Sequence, residues 1–570
     1  MDELNIVLAG AAGQGVQSAA SILGKTLKRL GFFVYVTQDY QSRVRGGHNF
    51  MRVRFSGRRL SAAVRASDFL LALNEESLSI HLPDLSAGGL AICMEESRGA
   101  ADDPRLRALA ADVGPTSARG PKFVGVKLLS ALFTMIGLGP DVLRGAVDTQ
   151  FSGRISSELL GVNLEAVDAV RSVVNAEDTH PIPFEPSDGG KRIFVDGNEA
   201  IALGLMAGGI GVYAGYPMTP ATSIMNLLAS AGPELGIAVE QVEDEIAALN
   251  LAVGASYAGA RAAAGSSGAG LCLMSEALGL AGVTETPVLV IDGQRPGPAV
   301  GMATRTEQSD LLFAVHASQG EFPRAVIAPA LHEDGFSMAA EGLNLAEQWQ
   351  IPVILMSDQA FADAQCTLDA FDTDSIVIDR GPVAPEPPST EVLRRYEVTD
   401  SGVSPRAFPV LSKWLVAVDS HEHDEVGHLT DNVENRLRQN RKRMKKLEGI
   451  ARSLPGPELP QGDAETLVLC WGSTAGPVLE AVDRLRREGR DVGAAVFRYL
   501  FPMNADAVRE ALSVAGRLFT IEANETGQLG RLLKMETGIV PDRHIGKTDG
   551  RGFTVEDACA LIETALGRAQ

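Results

Sequence analysis

The stretch Asn5-Ile6-Val7-Leu8-Ala9-Gly10-Ala11-Ala12-Gly13-Gln14-Gly15 decides how the chain begins, and an amphipathic run from Val16 to Leu30 follows it. Strand, glycine turn and helix are the opening of a doubly wound α/β layer. Further apolar runs at 32–36, 69–72 and 89–93 continue the alternation, so residues 1–175 read as one α/β domain. Residues 176–191 hold Pro181, Pro183, Pro186 and Gly189-Gly190, the composition of an interdomain linker.

Beyond this linker, apolar strands are expected at 210–214, 237–242, 288–292, 325–328 and 353–356, with small-residue helices between them. Strands that alternate with helical patterns make βαβ units and a doubly wound parallel sheet, here over 192–385. Residues 386–460 are polar and irregular up to a helix expected over 432–452, which carries Arg436, Arg438, Arg441, Lys442, Arg443, Lys445 and Lys446. Against an acidic whole, this run reads as a solvated helix face before an anionic-partner surface. Residues 461–570 resume the α/β pattern, with strands at 466–471, 492–497 and 517–522. The fold class is therefore multidomain α/β.

Composition narrows the function. Of 570 residues, 60 are glycine and 45% are apolar, as small-residue α/β layers require. A formal charge of −21 repels nucleic-acid backbones. Cys93, Cys272, Cys366, Cys470 and Cys559 lie far apart, which argues against a disulfide framework, a zinc site or an iron–sulfur ligand set within the chain. Met1-Asp2-Glu3-Leu4 has no basic leader, and no apolar run approaches the ~18 residues of a spanning helix. A reducing, cytoplasmic compartment is expected.

Three polar loops at successive strand ends suggest a site. In Tyr216-Pro217-Met218-Thr219-Pro220, two prolines brace a strand-to-helix turn and leave the Thr219 hydroxyl at the sheet edge. Glu243-Asp244-Glu245 precede an Ala-, Gly- and Leu-rich helix. Dipole complementarity alone explains acids there, yet a carboxylate at the mouth of a buried helix is costly unless something pairs with it. Arg295, beside Pro296 and Gly297, is either a surface ion pair or a fork for a substrate carboxylate, with Thr304 following on the same loop.

Taken in order, these motifs resemble those of the 2-oxoacid:ferredoxin oxidoreductases. YPMTP (216–220) is similar to that family's YPITP, with Met218 in place of isoleucine. VEDEIAALNLAVGASYAGARA (242–262) and GQRPGPAVGMATRTEQSD (293–310) look like its next two signatures. TLVLCWGSTAGPVLEAV (466–482) and TIEANETGQLGRLL (520–533) are similar to its transketolase-C-terminal-like region. GAAGQGVQSAA (10–20) and RVRGGHNFMRVRFS (43–56) are similar to its γ component, so the resemblance spans nearly the whole chain as a fused γ–α arrangement.

The resemblance implies a thiamine pyrimidine-binding domain over 192–385 and a catalytic Glu245 that hydrogen-bonds the thiamine aminopyrimidine. Tyr216 and Pro217 would line the cofactor. Thr219, Arg295 and Thr304 would hold the substrate carboxylate. Gly13, Gln14, Gly15 and Arg45 are possible coenzyme A contacts. No GDG-type diphosphate motif is present. The family places Mg2+, the diphosphate and a [4Fe–4S] cluster on a β subunit, so an (αβ)2 assembly serving ferredoxin is implied. The γ-first fusion most resembles the 2-oxoglutarate enzymes, which form succinyl-CoA. Pyruvate or another 2-oxoacid, or a non-catalytic subunit that keeps the fold, are the alternatives. His421, His423 and His428 read as a polar loop network before a metal site, and no metal ligand is assigned.

Overall fold

The computed structural model describes residues 2–41, 46–187, 190–409 and 411–567, which form two compact units. The first comprises residues 1–195, 364–370 and 554–556. Its central strand, Glu3–Ala12, is followed by the helix Val16–Arg29, as the opening stretch requires. That strand pairs in parallel with Ser67–Ala72 but antiparallel with Gly46–Ser56, which pairs antiparallel with Phe33–Asp39. The sheet of this unit is therefore mixed. The connection at 40–45 is too short for the crossover that parallel pairing needs. Helices Val124–Met135, Pro140–Phe151 and Ser157–Arg171 contribute Leu128, Leu132, Val147 and Val167 to the core.

The stretch expected to act as a linker lies against this unit. His180 and Ile182 donate backbone hydrogen bonds to Met135 and Ile136, and Phe184 packs edge-on to Phe32.

The second unit is built on a sheet whose main strands are β1 (Val212–Gly215), β2 (Ala238–Gln241), β3 (Ala262–Ser266), β4 (Val288–Gln294), β5 (Ala325–Ile327) and β6 (Pro352–Asp358). They lie in the order β2-β1-β3-β4-β6-β5, all parallel, and Tyr499–Phe501 adds an antiparallel edge. This is the doubly wound arrangement. Strand β3 has no apolar signature, because Ala-Ala-Ala-Gly-Ser carries no β-branched residue. It is central nonetheless, wholly buried between β1 and β4. A Cβ at Gly265 would overlap the Tyr213 hydroxyl, so close strand packing selects the small residue.

A four-stranded parallel sheet (Val492–Phe497, Thr466–Trp471, Arg517–Glu522, Arg543–Gly546) completes this unit. Trp471, Phe497 and Leu529 share one hydrophobic cluster with Ala248, Leu278 and Val290, so the two sheets have a continuous core.

The basic helix, Val433–Ser453, departs from its expected role. Arg436, Arg438, Arg441 and Lys445 are exposed, but Lys442, Arg443 and Lys446 are buried. Lys442 Nζ and Lys446 Nζ reach the two oxygens of buried Glu285 at 2.6 and 2.5 Å, and Arg443 forks Glu422. The charge run is half solvated face and half internal clamp.

Candidate active site

In a parallel sheet, ligands gather at the carboxyl ends of the strands where successive connections diverge. Here β1 connects to β2 on one side and β3 lies on the other, so that point falls between β1 and β3. Three of the polar loops end there.

The acids at 243–245 occupy three environments. Glu243 is exposed. Asp244 caps helix α1 (Glu245–Tyr257), its side chain accepting from Ala247 N at 2.8 Å. Glu245, the first helical residue, is only 3% exposed. Among the described residues its carboxylate has one side-chain hydrogen bond, a long one of 3.5 Å from Ser266 Oγ at the end of β3. A Cβ at Gly270, on helix α2 (Gly268–Leu273), would stand 2.7 Å from Glu245 Cγ, so the glycine makes room for this carboxylate.

Arg295 follows β4 and turns back toward β1, where its Nη1 donates to the Thr219 carbonyl at 2.8 Å. Burial pulls its pKa down, and the Glu245 carboxylate pushes it back up, which places the two charges in mutual reach. The turn that carries Thr219 is held from below by Asn198, whose Nδ2 donates to the Pro220 carbonyl at 2.8 Å and to Ser223 Oγ at 2.7 Å. Met218 Sδ accepts from the Ser267 hydroxyl, so methionine in place of isoleucine adds a polar contact.

The loop 295–310 is clamped at its far end. Thr306 Oγ1 donates to Asp358 Oδ1 at 3.0 Å. Gln308 Nε2 donates to the Trp471 carbonyl, and its Oε1 accepts from Ala523 N. Asn524 Nδ2 returns a bond to the Gln308 carbonyl, so the 520–533 motif serves to fasten this loop.

The structure thus brings Thr219, Glu245 and Arg295 together. Thr304 is half-buried on the Arg295 loop, and no hydrogen bond joins it to the other three. Tyr216 and Pro217 are exposed and lie outside the hydrogen-bonded group. Ser266, Asn198, Gln294 and Gln308 were not singled out by the sequence reading. Ser266 and Gln294 stand at the ends of largely apolar strands, and Asn198 and Gln308 stand among other polar residues, so no local pattern marks them.

In the first unit, Gly13 and Gly15 adopt φ of +91° and +86°, which residues with a Cβ rarely reach. Gln14 Oε1 accepts from Ala11 N at 2.7 Å and Asn74 Nδ2 at 2.8 Å, so this side chain folds the turn. An open pocket of about 470 Å³ lies over it, lined in part by Gly13, Gly15, Ser18, Tyr40 and Asn49. Arg45 lies outside the described residues. His421 turns to Asp419, while His423 is buried against the Tyr396 ring and its Nδ1 meets the His421 carbonyl. Among the described residues no group of His, Cys, Asp or Glu is placed to hold a metal ion, and no helix is long and apolar enough to cross a membrane.

Comparison with known proteins gives consistent matches. Residues 203–442 match the family model for pyruvate flavodoxin/ferredoxin oxidoreductase, thiamine diphosphate-binding. Residues 5–173 match pyruvate ferredoxin/flavodoxin oxidoreductase, and residues 464–558 match pyruvate:ferredoxin oxidoreductase core domain II. The alpha subunit of 2-oxoacid:ferredoxin oxidoreductase 2 from Aeropyrum pernix is 31% identical over 99% of this chain and 98% of its own. The 2-oxoglutarate oxidoreductase subunit KorA of Mycobacterium tuberculosis is 28% identical over 99% of this chain and 92% of its own. A solved 2-oxoglutarate:ferredoxin oxidoreductase from Magnetococcus marinus, with 2-oxoglutarate, coenzyme A and succinyl-CoA bound, superposes with a TM-score of 0.90. It is 30% identical and covers 99% of both chains.

Proposed function

The chain belongs to the 2-oxoacid:ferredoxin oxidoreductase family, and we propose that it is the alpha-type chain of an enzyme that decarboxylates 2-oxoglutarate oxidatively, forming succinyl-CoA, CO2 and reduced ferredoxin. The observation that carries this reading is the buried, almost unpartnered Glu245 at the divergence of β1 and β3, in electrostatic reach of Arg295.

The residues present fit the aminopyrimidine end of thiamine diphosphate. A carboxylate that is 3% exposed with one long hydrogen bond needs a donor, and Gly270 beside it lets the carboxylate sit there, since a Cβ would press on Glu245 Cγ. When bound, that cofactor supplies the carbon nucleophile and electron sink that a 2-oxoacid needs to lose CO2. Glu245 holds and exchanges a proton at the pyrimidine ring nitrogen. Arg295, with one N–H committed to Thr219, keeps its remaining donors for the substrate carboxylate. Thr219 and Thr304 orient that carboxylate, and Tyr216 and Pro217 border the cofactor. The apolar helix behind Glu245 keeps water from the reacting centre.

A partner β subunit completes the site in this reading, bringing the diphosphate, Mg2+ and a [4Fe–4S] cluster in an (αβ)2 assembly that reduces ferredoxin. The exposed Tyr216, Val300 and Met302, on the loops that carry the site, and Ile246, in the first turn of α1, support a covering chain. The glycine turn at 13–15 and its pocket are assigned to coenzyme A. The division into 1–175, 176–191, 192–385, 386–460 and 461–570, and a cytoplasmic location, go with this assignment.

The test is to isolate the native complex, identify the partner and assay ferredoxin reduction with coenzyme A and a panel of 2-oxoacids. 2-Oxoglutarate is expected to give the highest kcat/KM. Preference for pyruvate would reassign the substrate, and turnover by this chain alone would remove the partner.

A further inference from the structure

Two glutamines join the loop after β4 to the four-stranded sheet. Gln308 is 0% exposed. Its N–H donates to the Ala523 carbonyl at 2.8 Å, and its side-chain Oε1 accepts from Ala523 N at 2.9 Å, so it engages both backbone groups of one residue. Its other two groups are engaged as well. Nε2 donates to the Trp471 carbonyl at 2.8 Å, and the Gln308 carbonyl accepts from Asn524 Nδ2 at 2.9 Å. A Cβ at Gly472 would stand 2.7 Å from Gln308 Nε2, so a glycine makes room for this amide. Gln528, half-buried at the start of the helix Gln528–Thr537, donates from Nε2 to the Ser309 carbonyl at 2.6 Å. Its Oε1 accepts from Leu312 N at 2.9 Å, in the first turn of the helix that follows the loop.

The receiving surface is itself fixed. Asn524 Nδ2 also donates to Glu522 Oε2 at 2.9 Å, and its Oδ1 accepts from Gly527 N at 2.8 Å. Buried Glu522 accepts further from Leu529 N at 2.8 Å and Trp471 Nε1 at 3.3 Å. A buried network whose members satisfy one another holds a single geometry.

From residues 306–310 the constraint passes back to Arg295. Gln294, its neighbour at the end of β4, accepts from Asp310 N at 3.1 Å and donates to the Ser357 carbonyl at 3.1 Å, which closes the base of the loop. Thr306 N donates to the Gly550 carbonyl. Within the loop, Met302 N donates to the Pro296 carbonyl, and Gly301 has φ of +56°, where a Cβ would overlap that same carbonyl.

We propose that Gln308 and Gln528 are positioning residues for substrate binding, through which the four-stranded sheet sets how Arg295 is presented to the substrate carboxylate. The fastening stands on the hydrogen bonds alone, while its effect on turnover rests on the reading of Arg295 above. Glu245 begins a different element, α1, so substrate affinity should suffer more than the proton step. A merely architectural role would lower stability and leave affinity for the oxoacid alone.

The test compares Gln528→Met and Gln308→Met, which keep a long unbranched side chain and remove the amide. In the full-length chain, hydrogen exchange of peptides covering 295–310 is expected to quicken in both. Substrate binding must then re-order the loop, at a cost bounded by the bonds that were lost. In the assembled enzyme Gln528→Met should therefore raise KM for the 2-oxoacid roughly 3–10-fold, with a smaller change in kcat and none in KM for coenzyme A. Gln308→Met should raise it further. If the unpaired Ala523 N–H that it buries prevents folding, Gln528→Met decides alone.

Wild-type exchange over 295–310 overturns the fastening. A lower Tm with wild-type KM, or a fall in kcat alone, overturns the positioning role. Arg295→Lys then separates the causes: a normal kcat/KM in that variant removes the reading of Arg295 itself, whereas a lowered one leaves that reading standing without the two glutamines.

Discussion

Arg295 Nη1 donates to the Thr219 carbonyl at 2.8 Å, so the loop after β4 grips the loop after β1. This single bond spans the carboxyl edge of the sheet across β3 and fixes how far the guanidinium can move. A point charge would not provide the same arrangement, because only a planar fork can bind a backbone carbonyl and still present parallel donors to a carboxylate.

Arg295→Lys is therefore expected to lower kcat/KM by roughly 10–150-fold, the loss of one charge-assisted hydrogen bond of ~1.5–3 kcal/mol. Thermal stability should change little, because the ammonium can still reach the Thr219 carbonyl. Steady-state kinetics and a melting curve on the assembled complex check this. Wild-type kcat/KM for every oxoacid tested would return Arg295 to a surface role.

Glu245→Gln keeps the size of the side chain and a hydrogen-bonding oxygen but cannot exchange the proton. Turnover should fall by ~10²–10⁴ while fold and assembly persist. Circular dichroism, gel filtration and ferredoxin reduction measured together separate loss of chemistry from loss of structure. Near-normal turnover would assign the proton step to another group.

Glu285 pairs with both Lys442 and Lys446, and all three side chains are at most 1% exposed. Glu285→Gln leaves two buried ammonium groups without a carboxylate, so the unit should lose about 3–5 kcal/mol. Combining it with Lys442→Met and Lys446→Met should restore most of this loss. Chemical denaturation of the single and triple variants is the measurement, and a triple variant no better than the single would refute the clamp.

Burial lowers Lys446 from 10.5 to about 7, with the Glu285 carboxylate acting in the opposite sense. Between those values the unfolded chain holds the proton that the folded chain has shed. Lys446 therefore makes stability rise with pH over that window, and its charged form costs stability below it. Lys446→Met should flatten the rise in Tm from pH 7 to 9 relative to wild type. An identical slope in the variant would show that Lys446 keeps its proton throughout.

The fold class, the parallel sheet of the second unit and the loops at its carboxyl edge are determined by local pattern. Val288–Gln294 and Pro352–Asp358 announce themselves because a strand buried on both faces needs a continuous apolar run. Strand β3 does not, since its place depends on the Tyr213 hydroxyl next to Gly265, a contact made only after the sheet forms. The mixed first sheet also had to be seen, because antiparallel pairing leaves no separate mark in an apolar run. Sequence placed three acids at 243–245 and a basic run at 436–446, and tertiary structure decided which charges are buried. Glu245 goes under Ser266 while Glu243 stays in water. Lys442 meets Glu285 across 157 residues of chain. Periodicity reports which face of an element is apolar, whereas the environment of a charge depends on partners brought close only by folding.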